Sequence, residues 1–130
     1  MKSVLFTLTL LFSLQSFAKD ACPDIEGDFI AKENDAFLTL EMEGNVLNSA
    51  NLEQLAGGII LDGQSHVKAD GSIYTASCSG KTININMQYP STKATYTFKA
   101  VKRSKNKVVL TEELARDGQK ENWKYTLKKM

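Results

Sequence analysis

The chain has little of what most small enzymes and metal proteins need. Its 130 residues hold one histidine, His66, and two cysteines, Cys22 and Cys78. Two distant cysteines beside a single histidine make a poor metal site, and redox-active cysteines usually sit together as C-x-x-C. No G-x-S-x-G elbow, H-E-x-x-H helix or phosphate-binding loop occurs. Serines and aspartates are plentiful, so counting alone leaves a triad around His66 open. Its neighbours argue otherwise: with Val67 and Ala69 facing inward, His66 and Lys68 fall on the solvent side beside a turn. The expectation is a protein with no catalytic residue, metal or cofactor. Internal repeats and low-complexity stretches are also absent, and the length suits one modest core but not two.

No apolar run is long enough to cross a bilayer as a helix. The longest, Val4 to Phe17, has about fourteen residues where roughly twenty are needed. Preceded by Lys2 and followed by Ser16-Phe17-Ala18, it reads as an export signal cleaved after Ala18. That divides the chain into a signal peptide, 1–18, and a single domain, 19–130. Cys22 follows Lys19-Asp20-Ala21, which is not the box that precedes a lipidated cysteine. The expectation is a soluble, monomeric periplasmic or secreted protein with no membrane anchor. In that oxidising setting Cys22 and Cys78 should form one disulfide. Closing a loop of about 57 residues removes unfolded-state entropy worth roughly 4 kcal/mol in the chain-entropy model.

What the chain has in quantity is two-residue alternation. Thr82–Tyr89 sends Ile83, Ile85, Met87 and Tyr89 to one face and amides or hydroxyls to the other. The same pattern buries Leu38, Leu40 and Met42 in Ala36–Glu43, Tyr96, Phe98 and Ala100 in Ala94–Arg103, and Trp123, Tyr125 and Leu127 in Asn122–Lys129. Such segments are antiparallel strands with one wet face. Turn signals separate them at short intervals, from Glu43-Gly44-Asn45 to Asp117-Gly118; Asp70-Gly71 suits a tight type I′ hairpin. The spacing predicts an all-β, up-and-down antiparallel barrel of about eight strands. Ser49–Gly57 fits either a strand or a helix of one or two turns, with Ser49 at its start and Gly57 at its end. The large inward residues, Phe29, Tyr74 and Tyr89 among them, should largely fill so narrow a barrel.

Gly27-Asp28-Phe29, preceded by Cys22-Pro23, resembles the opening strand of lipocalin-like (calycin) barrels, which carry Gly-x-Trp there. Asp62-Gly63-Gln64-Ser65-His66, followed by Tyr74-Thr75-Ala76-Ser77-Cys78, is similar to a D-G-x-x-H turn of small exported members. The resemblance implies a cation on the last strand near the first, with Lys124 and Lys128 the nearest candidates for the family's arginine. Calycin folds host carriers, inhibitors and enzymes, so the resemblance implies an architecture and not a role.

Two groups of residues are candidates for function. Glu112 falls in register with the inward Val108, Leu110 and Leu114 on Lys107–Ala115. A carboxylate there either sits at a barrel mouth as a polar anchor, beside Tyr96, Trp123 and Tyr125, or is turned into solvent by a bulge. The second group is basic. Residues 19–65 carry ten acids and two lysines, and residues 66–130 carry thirteen lysines and arginines and five acids, which gives −8 and +8. Lys81, Lys99, Arg103, Lys124 and Lys128, with Lys102, Lys105 and Lys107, form either an ordinary solvated face or a site for an acidic partner or polymer. Pairing of the last strand with the first would favour neutralisation by strands such as that of Glu41 and Glu43. The aromatics alternate inward, so specific nucleic-acid binding is not expected. The functional expectation is an exported, non-catalytic protein that binds an envelope or extracellular ligand or protein through its rim loops or outer face. The alternatives are a carrier of a small apolar ligand and an inhibitor of a secreted or cell-wall hydrolase.

Overall fold

The computed structural model describes residues 22–130; the segment read as an export signal lies outside the described residues. Ten strands follow one another: β1 Gly27–Ala31, β2 Phe37–Glu43, β3 Val46–Asn48, β4 Ile59–Ile60, β5 Ser65–Val67, β6 Ile73–Ser79, β7 Thr82–Tyr89, β8 Ala94–Ser104, β9 Lys107–Arg116 and β10 Gln119–Lys129. All neighbours are antiparallel, in the spatial order β4-β3-β2-β1-β10-β9-β8-β7-β6-β5. The chain is therefore an all-β meander whose last strand pairs with its first, curled into a half-barrel. The count exceeds eight because three very short strands, β3, β4 and β5, surround the point where the sheet opens. There β4 and β5 do not pair. Instead the Ile60 N–H donates to the Tyr74 hydroxyl at 3.0 Å, and the Gly63 N–H to the Ala76 carbonyl at 2.7 Å.

The alternation read from the sequence sets the core. On β8, Ala94, Tyr96, Phe98 and Ala100 are buried while Thr95, Thr97 and Lys99 are exposed. Leu40, Leu47, Leu55, Ile59, Ile83, Ile85 and Phe98 are completely buried in the same cluster. Each such side chain contributes roughly 1.5–3 kcal/mol relative to exposure.

The disulfide is present, with the Cys22 and Cys78 Cα atoms 4.8 Å apart. It fits an oxidising, exported environment. In the sheet β1 and β6 are separated by four strands, so residues 22–26 must cross one end of the barrel to reach Cys78. Ile25, buried on that path, plugs the end. No helix among the described residues is long and apolar enough to cross a membrane.

Local expectations fared unevenly. Ser49–Gly57 is neither strand nor a full helical turn; it holds a single 3₁₀ turn, Glu53–Leu55, whose N-cap Leu52 makes no side-chain cap bond. Ser49 is buried and donates its hydroxyl to the Thr39 carbonyl instead. Type I′ geometry occurs at Asp117-Gly118, where both φ angles are positive and Arg116 faces Gln119. At Asp70-Gly71 only Gly71 has positive φ, and the Lys68 N–H bonds to the Ser72 carbonyl around a longer loop. Two lysines of the last strand lie opposite the first, Lys128 against Ile30 and Lys129 against Phe29, while Lys124 lies beyond the pairing; Lys129 is the one whose stem reaches Gly27. That stem lies where a Gly27 Cβ would be, 2.7 Å from the Cε. Gly27 also has φ +148°, so a side chain there is disfavoured by the backbone even if the flexible Lys129 stem moves aside.

Candidate functional site

The four residues expected to anchor a ligand converge at one end of the barrel. Glu112 lies in a regular stretch of β9, opposite Phe98 on β8 and Trp123 on β10. The β8–β9 bulge is at Lys102–Ser104, far along the ladder, so nothing turns Glu112 outward. Its side chain is only 9% exposed, and one carboxylate oxygen accepts the Tyr96 hydroxyl at 2.7 Å. Burial first, then the nearby Glu112 charge, drives the Tyr96 phenol far above its ordinary range. Tyr125, two pairs further along β10, also has its phenol shifted up, first by burial and then by Glu112.

Glu112 and Tyr125 line a pocket of about 160 Å³ with Asn34, Phe37, Asn51 and Leu52. A cavity of roughly 150 Å³ takes one benzene-sized group, so this space suits a single side chain better than a sizeable ligand. Trp123 belongs to the same face but is 37% exposed, and Phe37 at the start of β2 is 51% exposed. Alternation placed Trp123 on the inner face; it could not show that the barrel ends beneath it. The sequence does not single out Phe37, and it shows Asn51 and Leu52 only as part of the irregular segment 49–57, which covers this end of the barrel through loop geometry with no periodic signal.

Two polar side chains hold the rim. Beyond the end of β3, Asn51 accepts the Thr39 N–H at 3.1 Å and donates to the Phe37 carbonyl at 3.0 Å, doing a strand's work for β2. Beyond the end of β1, the Glu33 carboxylate accepts the Thr126 N–H at 2.7 Å and the Thr126 hydroxyl at 2.8 Å. The Thr126 backbone N–H holds the Glu33 carboxyl below the usual range.

The cations divide into two groups. On the outer face, Lys99, Thr111 and Lys124 form one row across β8, β9 and β10. They line a surface depression of about 380 Å³ with Thr97, Glu113 and Asn122, and Glu112 and Trp123 border it too. Lys81, Arg103 and Lys128 lie at the other end of these strands: Lys81 gives its carbonyl to the Lys102 N–H, and Lys128 faces Lys107 on one side and Ile30 on the other. Among the described residues three ion pairs form, His66–Asp62, Arg116–Asp117 and Lys120–Glu113, and none joins Glu41 or Glu43 to this basic set.

His66 does not face away as expected. Val67 is 71% exposed, while His66 shares the face of Tyr74, ring centroids 5.3 Å apart, and its Nε2 sits 2.9 Å from Asp62. The Asp62 carboxyl is held low by the Gln64 N–H and then by His66. The D-G-x-x-H segment is thus a self-contained turn lock beside the sheet opening.

The chain matches no known protein-family model, no curated protein and no solved structure.

Proposed function

We propose that the protein is an exported, non-catalytic recognition module of calycin type that binds a partner protein at the mouth formed by β8, β9 and β10. The observation that carries this reading is Trp123, a large aromatic left open beside the buried Tyr96–Glu112 pair. An exposed tryptophan over a polar anchor is the composition of a binding hot spot. The small mouth pocket and the filled interior support surface recognition over transport of an apolar ligand. Export is supported by the leading apolar segment together with the disulfide, and the calycin assignment by Gly27-x-Phe29 with Lys129 across it.

Envelope extract passed over the immobilised mature protein tests the reading, with bound proteins and lipids both identified by mass spectrometry. A protein retained by the wild type and lost by Trp123→Ala, with the circular dichroism unchanged, is the expected result. A lipid or small apolar molecule retained equally by both would favour the carrier and overturn the proposal.

A further inference from the structure

The last strand outruns the first. Pairing of β10 with β1 covers only Leu127–Lys129, and the final bond runs from the Lys32 N–H to the Thr126 carbonyl. At Thr126 the N–H on this side goes to Glu33. Alternation along an antiparallel ladder then fixes the rest: the odd residues bond to β9, and the even residues Lys124, Asn122 and Lys120 present N–H and C=O groups to the other side. Among the described residues no backbone partner meets them there. Residues 119–124 are exposed throughout, so water covers this edge.

Unpaired strand edges invite another strand. A second copy of this chain is a poor occupant, because antiparallel self-pairing about Asn122 would set Lys120 against Lys124, and like charges directly opposed are destabilising. Lys124, with Lys128 on the same outer side, suits acidic side chains, while Lys120 already pairs with Glu113 at 3.5 Å. On the inner side an added strand would run beside Trp123, Tyr125 and the pocket that Leu52 and Asn51 close from across the gap. That side asks for apolar residues. Glu33 already shows the chemistry, since its carboxylate takes the position of an incoming carbonyl at Thr126.

We infer that the free edge of β10, Lys120–Lys124, is a strand-addition site for an extended segment of a partner protein, acidic on its outer face and apolar on its inner one. This rests on the mouth being the recognition surface. Main-chain bonds would supply affinity and the alternating faces specificity.

The test uses the mature protein and a capped peptide of about eight residues alternating Glu and Val, a length typical of a strand. NMR should show the Lys120, Asn122 and Lys124 amides shifting and their hydrogen exchange slowing at least about tenfold, a change of about 1.4 kcal/mol. Of the two forms of this peptide N-methylated at alternate positions, the one that blocks the N–H groups facing β10 should bind about tenfold or more weakly and the other nearly as well. A Lys-Val peptide should also bind about tenfold or more weakly. Exchange unchanged at these three amides, or equal binding of the N-methylated peptides, overturns strand addition. No binding of the Glu-Val peptide at millimolar concentration overturns it too. The recognition reading is separated by Trp123→Ala: loss of the captured envelope protein in that variant, with the edge amides silent in the wild type, leaves the mouth as the site and removes the strand.

Discussion

Tyr96 donates its hydroxyl proton to Glu112 across the β8–β9 ladder, 2.7 Å between oxygens, and both side chains are buried. No buried side-chain nitrogen or oxygen among the described residues lacks a partner, so this bond is what makes a carboxylate tolerable beside Phe98 and Leu110. Tyr96→Phe removes the donor and leaves the carboxylate in place. The expected loss is about 1–3 kcal/mol, the cost of an unmade bond to a buried polar group. Glu112→Gln keeps an acceptor and should cost about 1 kcal/mol or less. Urea unfolding of the two variants compares them directly, and equal stability of Tyr96→Phe and wild type would mean that the bond contributes nothing.

The same pair predicts an alkaline limit. Burial raises the phenols of Tyr96, Tyr89 and Tyr125 above their ordinary value of 10.0. In the folded state these groups keep protons that the unfolded chain gives up. Their contribution is therefore complete below pH about 10 and is lost as pH rises above it. Absorbance titration at the tyrosinate band should show part of the tyrosine signal appearing only as the protein unfolds. A single reversible titration of every tyrosine near pH 10 in folded protein would contradict this.

How much of this was legible in the sequence follows from which forces were local. Strict alternation made β7 and β8 plain, because each buries one face over many residues, and it marked β10 as well, although there only Leu127 is buried and Tyr125 half-buried. It also put Glu112 on the inner face. Whether Glu112 stayed there depended on the position of the β8–β9 bulge, which falls at Lys102–Ser104 and carries no composition signal. Asp70-Gly71 and Asp117-Gly118 look alike as dipeptides. Asp70 takes the Ser72 N–H and hydroxyl and so favours a longer loop, whereas the two facing residues Arg116 and Gln119 close the other hairpin tightly. The free edge of β10 was invisible for a different reason. It comes from a difference in length between strands far apart in the chain, β1 with five residues and β10 with eleven.

Acid should act at the rim first. Glu33 is held low by the Thr126 N–H, Asp62 by the Gln64 N–H, and Asp70 by the Ser72 hydroxyl, from ordinary values of 4.5, 3.8 and 3.8. Lowered carboxyls stabilise the fold above their unfolded pKa, and that contribution disappears as pH falls through the folded one. Stability should hold to about pH 4.5 and fall below it. Glu33→Gln should flatten part of that acid limb in denaturant titrations, and an unaltered limb would show that the Glu33–Thr126 contact contributes no pH dependence.

Reduction should loosen the end opposite the mouth. Intact mature protein should be lighter than its reduced form by a pair of hydrogen atoms, with Cys22 and Cys78 in one linked peptide. The Cys22→Ser, Cys78→Ser double variant should lose up to about 4 kcal/mol. Hydrogen exchange should rise earliest around Ile25, whose burial depends on the segment that the disulfide ties across the barrel. Free thiols in protein taken from its own export compartment would end the claim.

Lys99 and Lys124 test whether the outer face does more than keep the protein in solution. They flank Thr111 in one row, so their Cα atoms are about 10 Å apart at ordinary strand spacing. Strand order places β1 and β10 side by side, the arrangement that favours neutralisation, yet Lys128 meets Ile30 there and not an acid. Glu113, in the next row and paired with Lys120 at 3.5 Å, and the buried Glu112 are the acids that line the depression with the two lysines. Two carboxylates, Glu112 and Glu113, against two lysines leave little net field in the depression. Binding of dextran sulfate should therefore be weak at low salt and disappear near physiological ionic strength, where the Debye length is about 8 Å. Lys99→Glu with Lys124→Glu should abolish it while leaving the unfolding midpoint nearly unchanged, since both side chains are exposed. Two readings can still separate here. Retention of dextran sulfate by the double variant would move the cationic site to the Lys81, Arg103 and Lys128 end. Binding that survives high salt would mean that charge is not what holds the polymer.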